Sequence, residues 1–265
     1  MLKALILDWA GTVVDHGSRA PMGAFVRAFA EFDVPISVAD ARGPMGMAKR
    51  DHIRLVAHVP AVAKAWLAAH GRTPSEADID AIMTVFEPMN VASVKHHADI
   101  IPGALTAIHE ARALGLKIGS TTGYTRPIMA ELMPLAAAAG YTPDITVCAG
   151  DLPEGRPAPL MMWHAMAALG AWPASTVVKV DDTTPGIGEG RNAGTWTVGV
   201  ALTGNYAGLS ADELRLLSGP EKADIRARAG TELRAAGAHY VIDSIANLPG
   251  VLEAIETRLA AGETP

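Results

Sequence analysis

The sequence predicts an α/β protein, a doubly wound parallel sheet with an all-helical domain inserted after its first strand. Three observations predict it. From residue 99 onward, short apolar runs alternate with helical stretches of about 10–15 residues, the pattern of βαβ units. An isolated apolar run at 3–8, KALILD, is closed by an acid and a turn and needs that same sheet to pair with. Between the two, roughly 21–98 has almost no strand-like run.

Within that block, PMGAFVRAFAEF, MAKRDHIRLVAHV, AVAKAWLAAHG and SEADIDAIMTVFEPMNVASVKHH each repeat apolar residues at the helical period. Ser75 followed by Asp78 reads as a capping-box start. DIIPG at 99–103 breaks the pattern. Then follow helix PGALTAIHEARALG, strand LKIGSTTG, helix RPIMAELMPLAAAAG and strand DITVCAG. Helix PLMMWHAMAALG, strand TVVKVDD, helix GIGEGRNAG and strand TWTVGVAL come next, with two helices around 210–237, strand HYVID and a closing helix at 245–261. The expected division is a catalytic core of 1–18 and 100–265 and a helical cap of 19–99.

The 265 residues carry 22 basic and 28 acidic side chains, a net charge of −6. That balance offers no basic stripe for nucleic acid. Mean hydropathy is +0.20, yet no stretch approaches the ~18 uninterrupted apolar residues of a spanning helix, so no membrane partner is expected. The start, MLKALILDWAGTVVD, has the Lys and apolar run of a secretory signal, but Asp8 cuts the run short and Asp15 ends it, so it reads as mature sequence. A single cysteine, Cys148, fits a reducing cytoplasm.

Ligands of open α/β sheets sit beyond the carboxyl ends of the strands. Four such ends carry polar groups: Asp8, the run Thr121-Thr122-Gly123, the GDLPEGRP loop with Arg156, and Asp181-Asp182. Each alone is an ordinary turn former; four in register point to a phosphate and metal site. A carboxylate can attack phosphorus to form an aspartyl-phosphate. Two anions approach only with a cation between them, and oxygen ligands suit Mg²⁺. Asp8 and Asp182 fit those needs, with Asp181 or Thr183 as outer support. Thr122, the Gly123 N–H and the Arg156 fork can hold phosphoryl oxygens.

ILDWAGT, TTG, the basic residue of EGRP and VDDTTPG resemble the four motifs of the haloacid dehalogenase-like superfamily. The resemblance implies a Rossmann-like core, a cap inserted after the first motif, and Mg²⁺-dependent phosphoryl chemistry. Two departures stand out. Where most phosphatases of the superfamily carry a second Asp to protonate the leaving oxygen, this chain has Ala10. Where many members place an acid four residues after Asp182, it has Gly186, so the metal shell is expected to lean on Asp181 or water.

Lys49 supplies an alternative to the missing acid. Met45, Ile53 and Val56 lie at i−4, i+4 and i+7 from it and His52 at i+3, so the lysine sits on an apolar stripe. It either snorkels to the surface or, desolvated, attacks carbonyls as a neutral amine. Paired with Ala10, the second reading is the stronger. DWAGT, PMG-x-x-K-x-DH, GSTTGYTR, GRP and VDDT…EGRNAG-x-WTVGV together resemble the phosphonatase family.

That resemblance implies cleavage of the C–P bond of an aldehyde phosphonate to acetaldehyde and phosphate, within aminoethylphosphonate degradation. Lys49 would form the imine and Asp8 take the phosphoryl group; Mg²⁺ would sit on Asp8, Asp182 and the Ala10 carbonyl. His52 is either a proton carrier or a helix-face histidine satisfied by its surroundings. Met45 and Tyr124 are expected to line the pocket. Related enzymes can carry a cysteine where Ser18 stands, so no thiol acts there. A homodimer through the cap is implied too. The other enzyme reading, a phosphatase or phosphomutase acting on a small phosphorylated metabolite, is opposed by Ala10.

Overall fold

A computed structural model describes residues 1–265. Six strands form one parallel sheet in the order β3-β2-β1-β4-β5-β6: β1 (Ala4–Leu7), β2 (Lys117–Thr122), β3 (Ile145–Cys148), β4 (Val177–Asp181), β5 (Trp196–Val200) and β6 (Tyr240–Ile242). β1 is wholly buried because both its faces are covered: Leu5 and Leu7 join one apolar cluster, Ala4 and Ile6 another. The first cluster packs α6 (Ala104–Ala113), α7 (Arg126–Ala138) and α12 (Leu248–Ala260); the second packs α8 (Leu160–Leu169).

β1 is also where the strand order turns. The chain runs outward through β2 and β3, then restarts at β4 on the other flank of β1. The loops leaving β1 and β4 therefore diverge and open a crevice at their carboxyl ends.

Between β1 and β2 lies the helical insert: α1 (Ala20–Ala30), α2 (Val38–Arg42), α3 (Lys49–Ala57), α4 (Pro60–His70) and α5 (Glu76–Val94). It has its own apolar cluster, built on Phe25, Phe29, Ile53, Val56, Trp66, Ile82 and Phe86. Ser75 and Asp78 cap α5 reciprocally, Ser75 N–H donating to the carboxylate at 2.7 Å. The helical pattern thus ends at Val94, a few residues before 98, and the closing helix begins after a short 3₁₀ turn at Ile245–Asn247.

Two crossing segments join insert to sheet. Val14 bridges Ile100 antiparallel, and Asp15 N–H donates to the Asp99 carbonyl at 3.1 Å. The buried Asp15 carboxylate then accepts from the N–H groups of Arg19 and Ala20 at 2.9 and 2.8 Å, which fixes the start of α1. After β4 come α9 (Thr184–Asn192), then α10 (Ala211–Leu216) and α11 (Gly219–Ala235), each of the last two begun by a serine capping box.

Candidate active site

The sheet brings the four strand-end groups together. Asp8 follows β1, Thr121 and Thr122 end β2, Arg156 comes from the loop after β3, and Asp181 with Asp182 end β4. Asp8, Asp181 and Asp182 each offer a carboxylate oxygen within 4.8 Å of the others, all buried. Asp182 Oδ2 accepts from Asn205 N–H at 2.7 Å, while its Oδ1 is buried without a partner. Burial, and next the Asp8 charge, holds the Asp182 carboxyl well above the usual range. Asp8 is likewise pushed up to about 6, by burial and then by Asp181, against the pull of Arg156. Asp181 goes the other way: burial raises it, but Arg156 and Lys179 outweigh burial. An orphaned carboxyl oxygen inside a cluster of three carboxylic groups is a donor set that fits a hard divalent cation, whose charge would favour their ionised forms.

Asp181 is held more firmly than an outer support would be. Its Oδ1 accepts from Thr183 N–H at 3.0 Å and Thr183 Oγ1 at 2.7 Å, and Lys179 Nζ lies 3.1 Å from its Oδ2. Arg156 is buried and shared. Its Nη2 reaches Asp8 Oδ1 at 2.9 Å and the Thr121 carbonyl at 2.7 Å, and its Nε donates to Glu189 Oε2 at 3.0 Å. The fork expected to hold phosphoryl oxygens thus also braces the nucleophile candidate.

The insert closes this site from above. Lys49 opens α3 with its side chain 3% exposed, and its Nζ stands 4.9 Å from the Tyr124 ring centroid and 5.9 Å from that of Phe25. Burial lowers its pKa to about 8, with Asp8 pulling in the opposite direction. The apolar stripe therefore points inward, and the lysine does not snorkel. Gly46 lets the chain before α3 touch the core. A side chain there would strike Thr183, and one at Gly123 would strike the Gly46 and Met47 carbonyls at 2.9 and 2.7 Å.

Asp8, Ala10, Ser18, Met45, Gly46, Lys49, Thr122, Gly123, Tyr124, Arg156 and Thr183 line one cavity of about 20 Å³. That is on the order of one water. His52 does not line it. Its Nε2 donates to the Ala41 carbonyl at 2.6 Å, its ring stacks on Phe25 at 4.0 Å, and burial, with Lys49 next, drops its pKa to about 3. The carbonyl partner assigns the proton to Nε2. Nδ1 is left bare and buried.

Lys179 lies outside the quoted motifs, while Thr121 and Glu189 fall inside them, in the run Thr121-Thr122-Gly123 and in EGRNAG, without a role assigned to either. Lys179 is fully buried in β4, donates to Thr121 Oγ1 at 2.7 Å, and sits 3.3 Å from Glu189. A lysine within the apolar run VVKV was the available signal, since unpaired lysines are almost never buried.

Comparisons with known proteins bear on the family and the fold. A model of the haloacid dehalogenase-like hydrolases matches residues 2–194. A protein of Paraburkholderia phytofirmans named phosphonoacetaldehyde hydrolase is 53% identical, covering 100% of this chain and 99% of the relative. One of the same name from Pseudomonas fluorescens is 46% identical over 100% and 96%. The crystal structure of a phosphonoacetaldehyde hydrolase-like protein from Oleispira antarctica superposes with a TM-score of 0.98 at 42% identity, over 100% and 96% of the two chains. On its motifs, its fold and its full-length relatives, the chain belongs to the haloacid dehalogenase-like hydrolases, among relatives named phosphonoacetaldehyde hydrolase.

Proposed function

We propose that the protein hydrolyses phosphonoacetaldehyde to acetaldehyde and phosphate through a Lys49 imine and an Asp8 phosphoryl intermediate. The observation that carries this is the convergence of an amine from the insert and a carboxylate from the core on one buried cavity. Full-length relatives bearing that activity in their names support it.

A C–P bond has no leaving oxygen to protonate, and direct cleavage would expel an unstabilised carbanion. Neutral Lys49 therefore adds to the aldehyde and releases water, giving an imine that takes up a proton. Asp8 attacks phosphorus; the C–P electron pair flows into the iminium and leaves as an enamine. Protonation at carbon and hydrolysis return Lys49 and acetaldehyde. A further water cleaves the aspartyl-phosphate, so one water is consumed overall. Asp8, Asp182, Asp181 and the Ala10 carbonyl are the groups that would hold Mg²⁺, which when bound offsets the repulsion between carboxylate and phosphonate. Thr122, the Gly123 N–H and Arg156 hold the phosphoryl oxygens. His52, one helix turn from Lys49 but outside the cavity and held by burial near pKa 3, is a poor proton acceptor; with Nε2 on the Ala41 carbonyl it serves to fix the helix that presents the lysine. Ala10 keeps a competing carboxylate away from the amine, which disfavours a phosphatase or phosphomutase reading.

This reading includes a homodimer through the insert, supported by the exposed apolar residues Val38, Leu55 and Leu67 on its helices. It also includes a place in aminoethylphosphonate breakdown, which follows from the substrate, and a cytoplasmic setting, in keeping with the single free Cys148. Sedimentation tests the dimer. The deciding experiment is borohydride reduction in the presence of phosphonoacetaldehyde, with the adduct located by mass spectrometry. A reduced two-carbon adduct is expected on Lys49. Normal phosphate release by Lys49→Ala would overturn the imine route.

A further inference from the structure

Arg42 lies outside every motif discussed so far, at the end of α2 in the insert. Its guanidinium nonetheless reaches into the core, where it is half-buried. Nη1 donates to the Gly17 carbonyl at 3.1 Å, the Asn205 carbonyl at 2.9 Å and Asn205 Oδ1 at 3.0 Å; Nη2 points at the Gly208 carbonyl at 3.4 Å. One side chain thus joins the insert, the segment leading into it, and the core loop at 201–209.

That loop is the one that packs on Asp182. Asn205 N–H donates to Asp182 Oδ2 at 2.7 Å. A side chain at Gly204 would meet the Asp182 Cβ at 2.3 Å, so loop and carboxylate have no slack between them. Gly208 is shaped by the same contact, because a Cβ there would stand 2.6 Å from the Arg42 guanidinium carbon. Elsewhere the loop is tied at its two ends: Leu202 and Thr203 N–H donate to the Asp243 carbonyl at 2.9 and 3.2 Å, the Thr203 carbonyl accepts from Gly17 N–H at 2.7 Å, and the Leu209 carbonyl accepts from His16 Nδ1 at 2.7 Å, so Arg42 is what holds the middle from the insert side.

We infer that Arg42 is a positioning residue. By clamping the 205–208 segment from the insert side, it sets the orientation of Asp182, so that the carboxylate is presented correctly only when the insert is seated. The planar fork matters as well as the charge, because its acceptors are carbonyls on two separate pieces of backbone, Gly17 and the 205–208 segment. The inference rests on Asp182 serving a divalent cation, as proposed above.

The test is calorimetric titration of Mg²⁺ into wild type, Arg42→Ala and Arg42→Lys without substrate, beside steady-state phosphate release. Groups that orient a metal ligand without touching the metal typically change affinity by about 10–100-fold when lost. Arg42→Ala is expected to weaken Mg²⁺ binding within that range and to lower kcat with little change in KM. Arg42→Lys, which keeps the charge, is expected to recover only part of either, and millimolar methylguanidine to restore Arg42→Ala. If Arg42→Ala fails to fold, judged by its melting transition, Arg42→Lys carries the test. Wild-type Mg²⁺ affinity in a folded Arg42 variant, or loss of KM alone, overturns the inference. Calorimetry requires no substrate, so a wild type that binds Mg²⁺ but leaves phosphonoacetaldehyde intact would sink the catalytic reading and leave this one standing.

Discussion

The Asp181 carboxylate occupies the space that a side chain at position 186 would need. A Cβ on Gly186 would lie 1.9 Å from Asp181 Oδ2 and 2.0 Å from its Cγ. With the Asp181 carboxylate where it stands, position 186 has no room for a side chain, acid or otherwise. The missing acid on α9 is therefore not a simple loss: its place beside Asp8 and Asp182 is filled from the end of β4.

This exclusion predicts the behaviour of a swap. Gly186→Asp alone should drive Asp181 off its Thr183 and Lys179 partners and lower phosphate release by about 10–100-fold, the usual effect of disturbing a metal ligand's support. Asp181→Gly combined with Gly186→Asp should recover much of that loss. Two independent losses that simply multiply in the double variant would refute the exchange.

The buried charges beneath the site predict a stability effect. Lys179 stands between Asp181 and Glu189, all three with fully buried side chains. Lys179→Met keeps the volume and leaves two carboxylates facing Arg156 alone. Removing one partner of a buried ion pair costs about 3–5 kcal/mol, which urea unfolding would read. A change under 1 kcal/mol would mean the network relaxes.

The proposed imine route gives the reaction a pH signature at Lys49. Only the neutral amine adds to a carbonyl, and burial brings its pKa to about 8. Borohydride trapping should thus rise about tenfold per pH unit below that point and level above it. Ala10→Asp puts a carboxylate into the same cavity and favours the ammonium form, so the break should move toward higher pH and C–P cleavage at pH 7 should fall. Faster cleavage by Ala10→Asp would contradict the role given to Ala10.

Asp8 predicts how metal-free stability depends on pH. Its folded pKa, about 6, lies above the ordinary 3.8. The folded state keeps a proton that the unfolded chain has released, so this group's contribution is present below 3.8 and is lost as pH rises through about 6. Wild type should lose on the order of 2–3 kcal/mol relative to Asp8→Asn across that window. Mg²⁺ needs the ionised carboxylates and should raise the melting temperature at pH 7 but hardly at pH 4. An equal rise at both would place the ion elsewhere.

Much of the fold was legible because its strands are short apolar runs with polar ends, and ITVC and WTVGV were found where they lie. The inward face of α3 was legible for the same reason, since Lys49, His52, Ile53 and Val56 share one helical stripe. The pairing of Lys179 with Glu189 was not, because it depends on how α9 packs against β4. Nor was the link between Asp181 and Gly186: five residues apart in sequence, they meet only through the turn of chain that Thr183 caps. Asn205 at Asp182 is 23 residues away and leaves no local pattern at all.

The insert departs from the chain soon after Asp8 and carries Lys49, while the core alone holds the carboxylates, Thr122 and Arg156. On the proposed route, recognition of the carbon skeleton and transfer of the phosphoryl group are therefore carried by different stretches of the chain. By the same route, remodelling the five helices would redirect the enzyme to a different organic partner without rebuilding the phosphorus chemistry, and parting amine from carboxylate would silence both.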